Sequence, residues 1–289
     1  MKEKMARIQL LGAMGIFGTI GIFRKFIPLS GAAIACARGV MGVAFLLVMM
    51  LVLGKKLSLQ TVKSKLLILC LSGAAIGANW VFLFEGYNYS VPLATVGYYM
   101  APVFVVLASP LVGERMTARK LCCAVTAVAG MVLVAGVVGG VDAKGALIGV
   151  ALGLCAAVLY ASVMLMNRKM GAVGAYDRTV VQLGTAAVVV LPYVLLTGGF
   201  GFGQLDTTGW VLLVIVGVLH TGVAYAMYFG AMGNLKAQTV AILSYLDPVL
   251  AIILSALVLR EHMDLWQTVG AVLVLGSALV SELPDRKRK

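Results

Sequence analysis

The sequence predicts an all-α membrane protein of ten transmembrane helices, arranged as two inverted five-helix repeats, and three observations lead there. Of its 289 residues, 62% are hydrophobic and 12% charged, at a mean hydropathy of +1.04. That is more apolar surface than a soluble core can bury. Residues 99–116, YMAPVFVVLASPLVGERM, return at 245–263 as YLDPVLAIILSALVLREHM with one residue inserted. Tyr99 and Tyr245, Pro102 and Pro248, and Ser109 and Ser255 lie 146 apart, while Glu114 and Glu261, and Met116 and Met263, lie 147 apart. Five spans fill that period, and because five is odd the second copy enters the bilayer upside down.

A helical span needs roughly 20 mostly apolar residues, and ten such stretches follow one another. The first, 7–27, carries Gly12, Gly15, Gly18 and Gly21 at every third position. It follows a short basic tail but precedes no small-residue cleavage pattern, so it is expected to be retained. The second, 31–53, holds Arg38, and the third, 65–87, holds Asn79, Trp80 and Glu85. The fourth, 91–112, carries Tyr98, Tyr99 and Pro102, and the fifth, 118–139, closes the first half. The sixth, 145–166, has Gly145, Gly149 and Gly153 at every fourth position, and Tyr160. The seventh, 178–197, places Gln182 where the first half has Arg38. The eighth, 209–231, carries His220, Tyr225 and Tyr228; the ninth, 236–259, carries Tyr245 and Asp247; the tenth is 265–281. The halves are therefore 1–141 and 142–289, the second with a basic tail. The apolar runs are continuous, which disfavours the alternating strands of a β-barrel. The glycines let helix backbones pack closely where lipid supplies no hydrophobic drive, or let two helices line a cavity and slide.

The net charge of +12 follows from where the 23 basic residues fall. With the N-terminus inside, 18 lie on the cytoplasmic side, Arg24, Lys25, Lys144 and Arg260 lie outside, and Arg38 is within a span. That bias predicts cytoplasmic termini and removes any need for a nucleic-acid partner. Cys36, Cys70, Cys122, Cys123 and Cys155 fall within spans without metal or redox spacing and read as packing residues. No cofactor or metal is called for.

Polar groups inside spans cost on the order of 2.5–3.5 kcal/mol when charged at the bilayer centre, so each is a functional candidate. Asp247 lies mid-span in SYLDPV, before Pro248, which lacks an N–H and frees a carbonyl in the turn before it. It could bind a cation, carry a coupling proton or accept from a substrate ammonium; the structural reading is a locally satisfied acid. Its counterpart in the first copy is Ala101. Glu85 and Arg38 fall in the outer thirds of neighbouring spans, where an ion pair or a gate is expected. Both are replaced in the second copy, by Gly230 and Gln182, which favours the pair. Tyr98, Tyr160, Tyr225 and Tyr245 lie deep and suit a cationic or zwitterionic small molecule, whereas Tyr87 and Tyr89 suit an interfacial belt. His220 is the one imidazole within a span and reads as a packing residue or a proton carrier.

Four segments carry a family resemblance over the whole length: NWVFLFEGYNYS (79–90), YYMAPVFVVLASPLVGERMT (98–117), AYAMYFGAMGNLKAQ (224–238) and SYLDPVLAIILSALVLREHM (244–263). On these the chain resembles the EamA family of the drug/metabolite transporter superfamily, in its ten-span, two-repeat branch. The resemblance implies movement of small metabolites, often amino acids, by alternating access around a central cavity. Carried over by position, that cavity draws on Gly18, Asn79, Trp80, Tyr98, Tyr160, Tyr225, Tyr228, Tyr245 and Asp247. Glu85, where the family usually has an apolar or small residue, and His262, opposite Arg115, depart from its pattern. The expectation is a plasma-membrane exporter of small polar metabolites such as amino acids or amines, with Asp247, Glu85, Arg38 and His220 as coupling or gating groups. Phosphorylated substrates are disfavoured, since a phosphate wants several basic groups. The rivals are a sensor or scaffold without flux and, less favoured, a membrane enzyme, for which two distant histidines are poor material.

Overall fold

The computed structural model describes residues 2–89, 94, 97–134, 143–171, 173–258 and 265–281, and every regular element among them is helical. In chain order these are α1 (Lys2–Lys25), α2 (Gly31–Val52), α3 (Leu59–Tyr89), α4 (Ala101–Ala108), α5 (Ala118–Val134), α6 (Ala143–Lys169), α7 (Ala175–Leu196), α8 (Thr207–Ile215), α9 (Ala224–Met232), α10 (Ala237–Leu243), α11 (Leu246–Val258) and α12 (Leu265–Ser281). A 3₁₀ turn, Ser109–Val112, prolongs α4, and a π-helical stretch, Val216–Val223, joins α8 to α9.

Local sequence explains the boundaries. Ser30 caps α2 by accepting from the Ala33 N–H at 3.1 Å, and Asp206 caps α8 by accepting from Gly209 at 2.7 Å. Gly113, at φ 77°, ends the 3₁₀ turn in a left-handed conformation that suits glycine. The third span starts six residues earlier than expected and runs 31 residues as α3.

Among the described residues, five helical stretches are long and apolar enough to cross a membrane: Gly31–Val52, Leu59–Tyr89, Leu147–Lys169, Ala175–Leu196 and Thr207–Met232. Ala101–Val112 and Thr268–Ser277 are apolar but shorter. The fourth and ninth expected spans are shortened because both break. A turn at Tyr99–Met100 precedes α4, and a turn at Ser244–Tyr245 separates α10 from α11. Pro102 and Pro248 sit in the first turn of the helix after each break, where the missing N–H is tolerated. The repeated tyrosines thus mark the breaks.

The two sequence halves interleave. α3 packs on α6 and α7, and the equivalent π-helical and α9 segments pack on α1 and α2. α1 packs on α11 as α6 does on α4, while α2 meets α7 and α5 meets α12. Close approach depends on glycine: a Cβ on Gly153 of α6 would lie 2.2 Å from the Ala94 carbonyl, and one on Gly73 of α3 would lie 2.6 Å from that of Gln182. In the first span the small-residue reading holds less well, since a Cβ on Gly15 would meet open space. A core of small and aliphatic residues from α1, α2, α3, α6, α7, α9 and α10 joins the halves.

Candidate functional site

A cavity of about 640 Å³ lies between the halves. Its deep wall carries Tyr98, Tyr99, Tyr160, Tyr228 and Asp247, and its lining continues past Trp80 and Arg38 towards Tyr87, Ile27 and Gly31, where α3 and α1 end and α2 begins. Asp247 occupies the first turn of α11, beside the break that Pro248 imposes. Its carboxyl group makes no hydrogen bond or ion pair with any described residue and lines the cavity.

The aromatic wall is internally tied. Tyr160 and Tyr228 share a 2.5 Å hydroxyl–hydroxyl hydrogen bond, and Tyr228 lies 3.4 Å from the Ser244 hydroxyl at the α10–α11 break. The Tyr98 ring packs 5.5 Å from Tyr160, and Tyr225 sits edge-on to Phe17 at 5.0 Å and to Trp80 at 6.4 Å. Asn79 lines the cavity but donates its amide to the Ala156 carbonyl at 2.7 Å, so it fastens α3 to α6.

The structure therefore brings together Asn79, Trp80, Tyr98, Tyr160, Tyr225, Tyr228, Asp247 and Arg38. Four expected residues lie elsewhere. Gly18 is buried in α1, next to the cavity-lining Phe17. Tyr245 is buried in a side cluster with Ala127, Met131 and Val274, and its hydroxyl donates to the Tyr99 carbonyl at 2.6 Å. That bond links the two helix breaks. His220 is fully buried in the π-helical stretch, 2.8 Å from the Thr19 hydroxyl and edge-on to Phe23. Glu85 accepts from the Tyr193 hydroxyl at 2.8 Å and from Asn88 at 3.3 Å.

The expected Arg38–Glu85 ion pair is absent. Glu85 is five residues beyond Trp80 on α3, roughly 7.5 Å further along the axis, whereas the Arg38 guanidinium lies 4.8 Å over the Trp80 ring. Arg38 makes no hydrogen bond to any described residue, and its buried Nε is unsatisfied. The cavity thus holds one guanidinium and one carboxyl group, each without a polar partner among the described residues.

Sequence reasoning missed a polar lock at the opposite end of the bundle. Glu114, 6% exposed, accepts from the Ala237 N–H at 2.7 Å and the Gln238 N–H at 3.4 Å, and lies 3.3 Å from Arg168 Nε. Gln238 in turn donates to the Ser109 hydroxyl and, at 3.1 Å, to the Arg115 carbonyl; Lys120 donates to Thr239 at 3.2 Å. Arg178, the first residue of the expected seventh span, is 1% exposed and donates to the carbonyls of Phe229, Met170 and Val173. The available signal was acidic Glu114 following the proline helix within a basic loop, but nothing in the sequence said which backbone it would reach.

The profile of the EamA-like transporter family matches residues 4–136 and again 147–282. The chain belongs to that family. Among its relatives, an uncharacterized transporter, YxxF, of Bacillus subtilis (strain 168) is 28% identical over 283 residues, 96% of this chain and 90% of the relative. Another, from Archaeoglobus fulgidus, is 26% identical over 192 residues, covering 66% of this chain and 67% of its own length. A crystal structure at 19% identity superposes with a TM-score of 0.84 over 96% of this chain and 97% of that one, which supports the fold alone. Family and relatives mark a multi-pass membrane transporter rather than an enzyme.

Proposed function

We propose that the chain is a secondary active transporter of the plasma membrane that exports small polar metabolites, such as amino acids or amines, by alternating access. Ten spans form two inverted repeats, 1–141 and 142–289, with both termini cytoplasmic. The observation that carries this reading is the cavity between the halves, with Asp247 placed at a helix break on its wall. Broken helices at a repeat interface are how transporters expose polar groups within a membrane. In the proposed topology the cavity leads to the outer side, and the Glu114 lock closes the cytoplasmic side; exchange of these two states moves substrate.

Asp247 is the proposed proton-exchanging group, since its carboxyl faces the cavity without a partner among the described residues. The test is transport into proteoliposomes under an imposed pH gradient. Wild-type protein is expected to show gradient-driven uptake, and Asp247→Asn to lose the dependence on the gradient while retaining its fold. Full gradient-driven uptake by Asp247→Asn excludes this residue from coupling.

A further inference from the structure

We propose that the corner where α2 ends and α3 begins binds an anionic phospholipid, its headgroup among Lys55, Lys56, Lys63 and Lys65 and its acyl chains against exposed leucines of both helices. The site lies on the outer surface of the bundle and is independent of what the cavity carries. Between Glu3 and Glu85 the chain has no acidic residue. All four lysines are exposed, and none pairs with a carboxylate among the described residues, where the ion pairs are Arg7–Glu3 and Arg168–Glu114. Asp177, in the first turn of α7 beside this corner, is buried and accepts from the Ser58 N–H at 3.3 Å, so its charge is turned into the fold. The corner therefore presents one sign of charge.

The lysines stand on a built surface. Gly54, at φ 62°, ends α2 in a left-handed turn, its N–H bonding the Leu51 carbonyl at 3.1 Å while the Lys55 N–H bonds that of Met50 at 2.8 Å. The Lys55 ammonium sits 4.8 Å over the Tyr176 ring, which with the Ser58–Asp177 bond ties the connection to α7. Lys63 and Lys65 follow in the second turn of α3, where Val62 and Leu69 are buried near Met170 and Val173 while every residue from Lys63 to Leu67 is exposed. Leu51 and Val52 of α2, and Leu59 and Leu67 of α3, are largely exposed beside them.

This adjacency of cation and apolar surface selects the ligand. A soluble anion would use the ammonium groups and leave the leucines bare. A zwitterionic lipid would cover the leucines but bring its own cation towards four lysines. An anionic phospholipid serves both, since lysine stems lie along apolar surface and their heads bind phosphate as point charges. Each lysine near an anionic membrane surface strengthens attachment by about fivefold. The corner shares an end of the bundle with the Glu114 lock, as Arg168 and Tyr176 flank the α6–α7 connection. In the proposed topology that end faces the cytoplasmic leaflet, where anionic lipids act on basic segments.

The experiment titrates the purified, delipidated full-length protein in detergent with phosphatidylglycerol, with phosphatidylcholine of the same chains, and with inorganic phosphate, and reads bound molecules by native mass spectrometry. Phosphatidylglycerol is expected to bind at least about tenfold more tightly than phosphatidylcholine, and phosphate not to be retained. Lys63→Gln with Lys65→Gln is expected to weaken phosphatidylglycerol binding by roughly fivefold or more, and glutamine at all four positions to bring it to the phosphatidylcholine level. Arginine at all four keeps the charge, is expected to keep the preference, and stands in if the fourfold glutamine variant does not fold. Glutamine at Arg286, Lys287, Arg288 and Lys289 removes the same charge elsewhere in the chain and is expected to leave the preference intact. Equal binding of the two lipids overturns the proposal, as does phosphate binding as tightly as phosphatidylglycerol. Equal losses in the corner and tail variants overturn it too, since the attraction would then belong to net charge and not to this site.

Discussion

The two ends of the helix bundle treat their buried polar groups in opposite ways. Around the 113–117 and 233–236 connections, Glu114, Gln238 and Lys120 reach partners across the halves, and Arg178 reaches carbonyls within the second half. In the cavity, Arg38 and Asp247 reach none among the described residues. An unpartnered polar group away from water costs several kcal/mol, and a charge costs more. The contrast separates two roles that look alike in the sequence: a satisfied group fastens one half to the other, and an unsatisfied one is kept for a ligand. The prediction is that removing the first kind damages the fold and removing the second kind damages function.

The largest expected effect falls on the fastened end. Glu114→Ala leaves two N–H groups and Arg168 without their acceptor and is expected to cost about 3 kcal/mol, seen as a lower melting temperature of the purified protein. An unchanged melting temperature would mean that the lock is incidental. Next comes Tyr245→Phe, which strands the Tyr99 carbonyl at the first helix break and should cost ~1–2 kcal/mol in the same measurement. Cavity variants are expected to move stability least. Asp247→Asn removes an unpaired charge and should be neutral or stabilising within about 1 kcal/mol, and Arg38→Gln gives up a cation–π contact worth ~0.5–1 kcal/mol. Both should abolish gradient-driven uptake in proteoliposomes despite intact melting curves. If either unfolds the protein as readily as Glu114→Ala, the distinction between the two ends collapses.

Much of the cavity was legible in the sequence, for a physical reason: a hydrophilic side chain in an apolar span stands out against its surroundings. That signal found Asn79, Trp80, Tyr98, Tyr160, Tyr225, Tyr228 and Asp247 on one wall system. It reports depth along a span, however, and says little about direction around the helix. Tyr245 and His220 lie deep as expected, yet they turn away from the cavity into protein. Around His220 the direction was further hidden by the π-helical stretch, whose wider turn rotates every later residue relative to an ideal helix. The Thr221 hydroxyl bonds the Val216 carbonyl five residues back, and Gly217 and Gly222 in the same stretch fit closely against Met41 and Phe45 of α2.

The Arg38–Glu85 pair shows the same limit from another side. Shared loss of both residues in the second copy suggested contact, but Tyr193 reaches Glu85 and Trp80 receives Arg38. The duplicated proline segments were legible as a repeat, and the structure adds that each repeat unit is a broken helix. The Glu114 lock depends on a contact 123 residues away in the chain, between a carboxylate and backbone N–H groups. No residue pattern at Ala237 announces that it will be met. The structure of the equivalent Glu261 lies outside the described residues.

The most direct test of the account is counterflow. Proteoliposomes containing the full-length protein are loaded with an unlabelled mixture of the twenty proteinogenic amino acids and placed in a trace of the same mixture carrying a radiolabel. The account predicts transient accumulation of label by wild-type protein, and its loss in both Arg38→Gln and Asp247→Asn when each variant melts like the wild type. Equal accumulation by either folded variant, or none by the wild type, would contradict it.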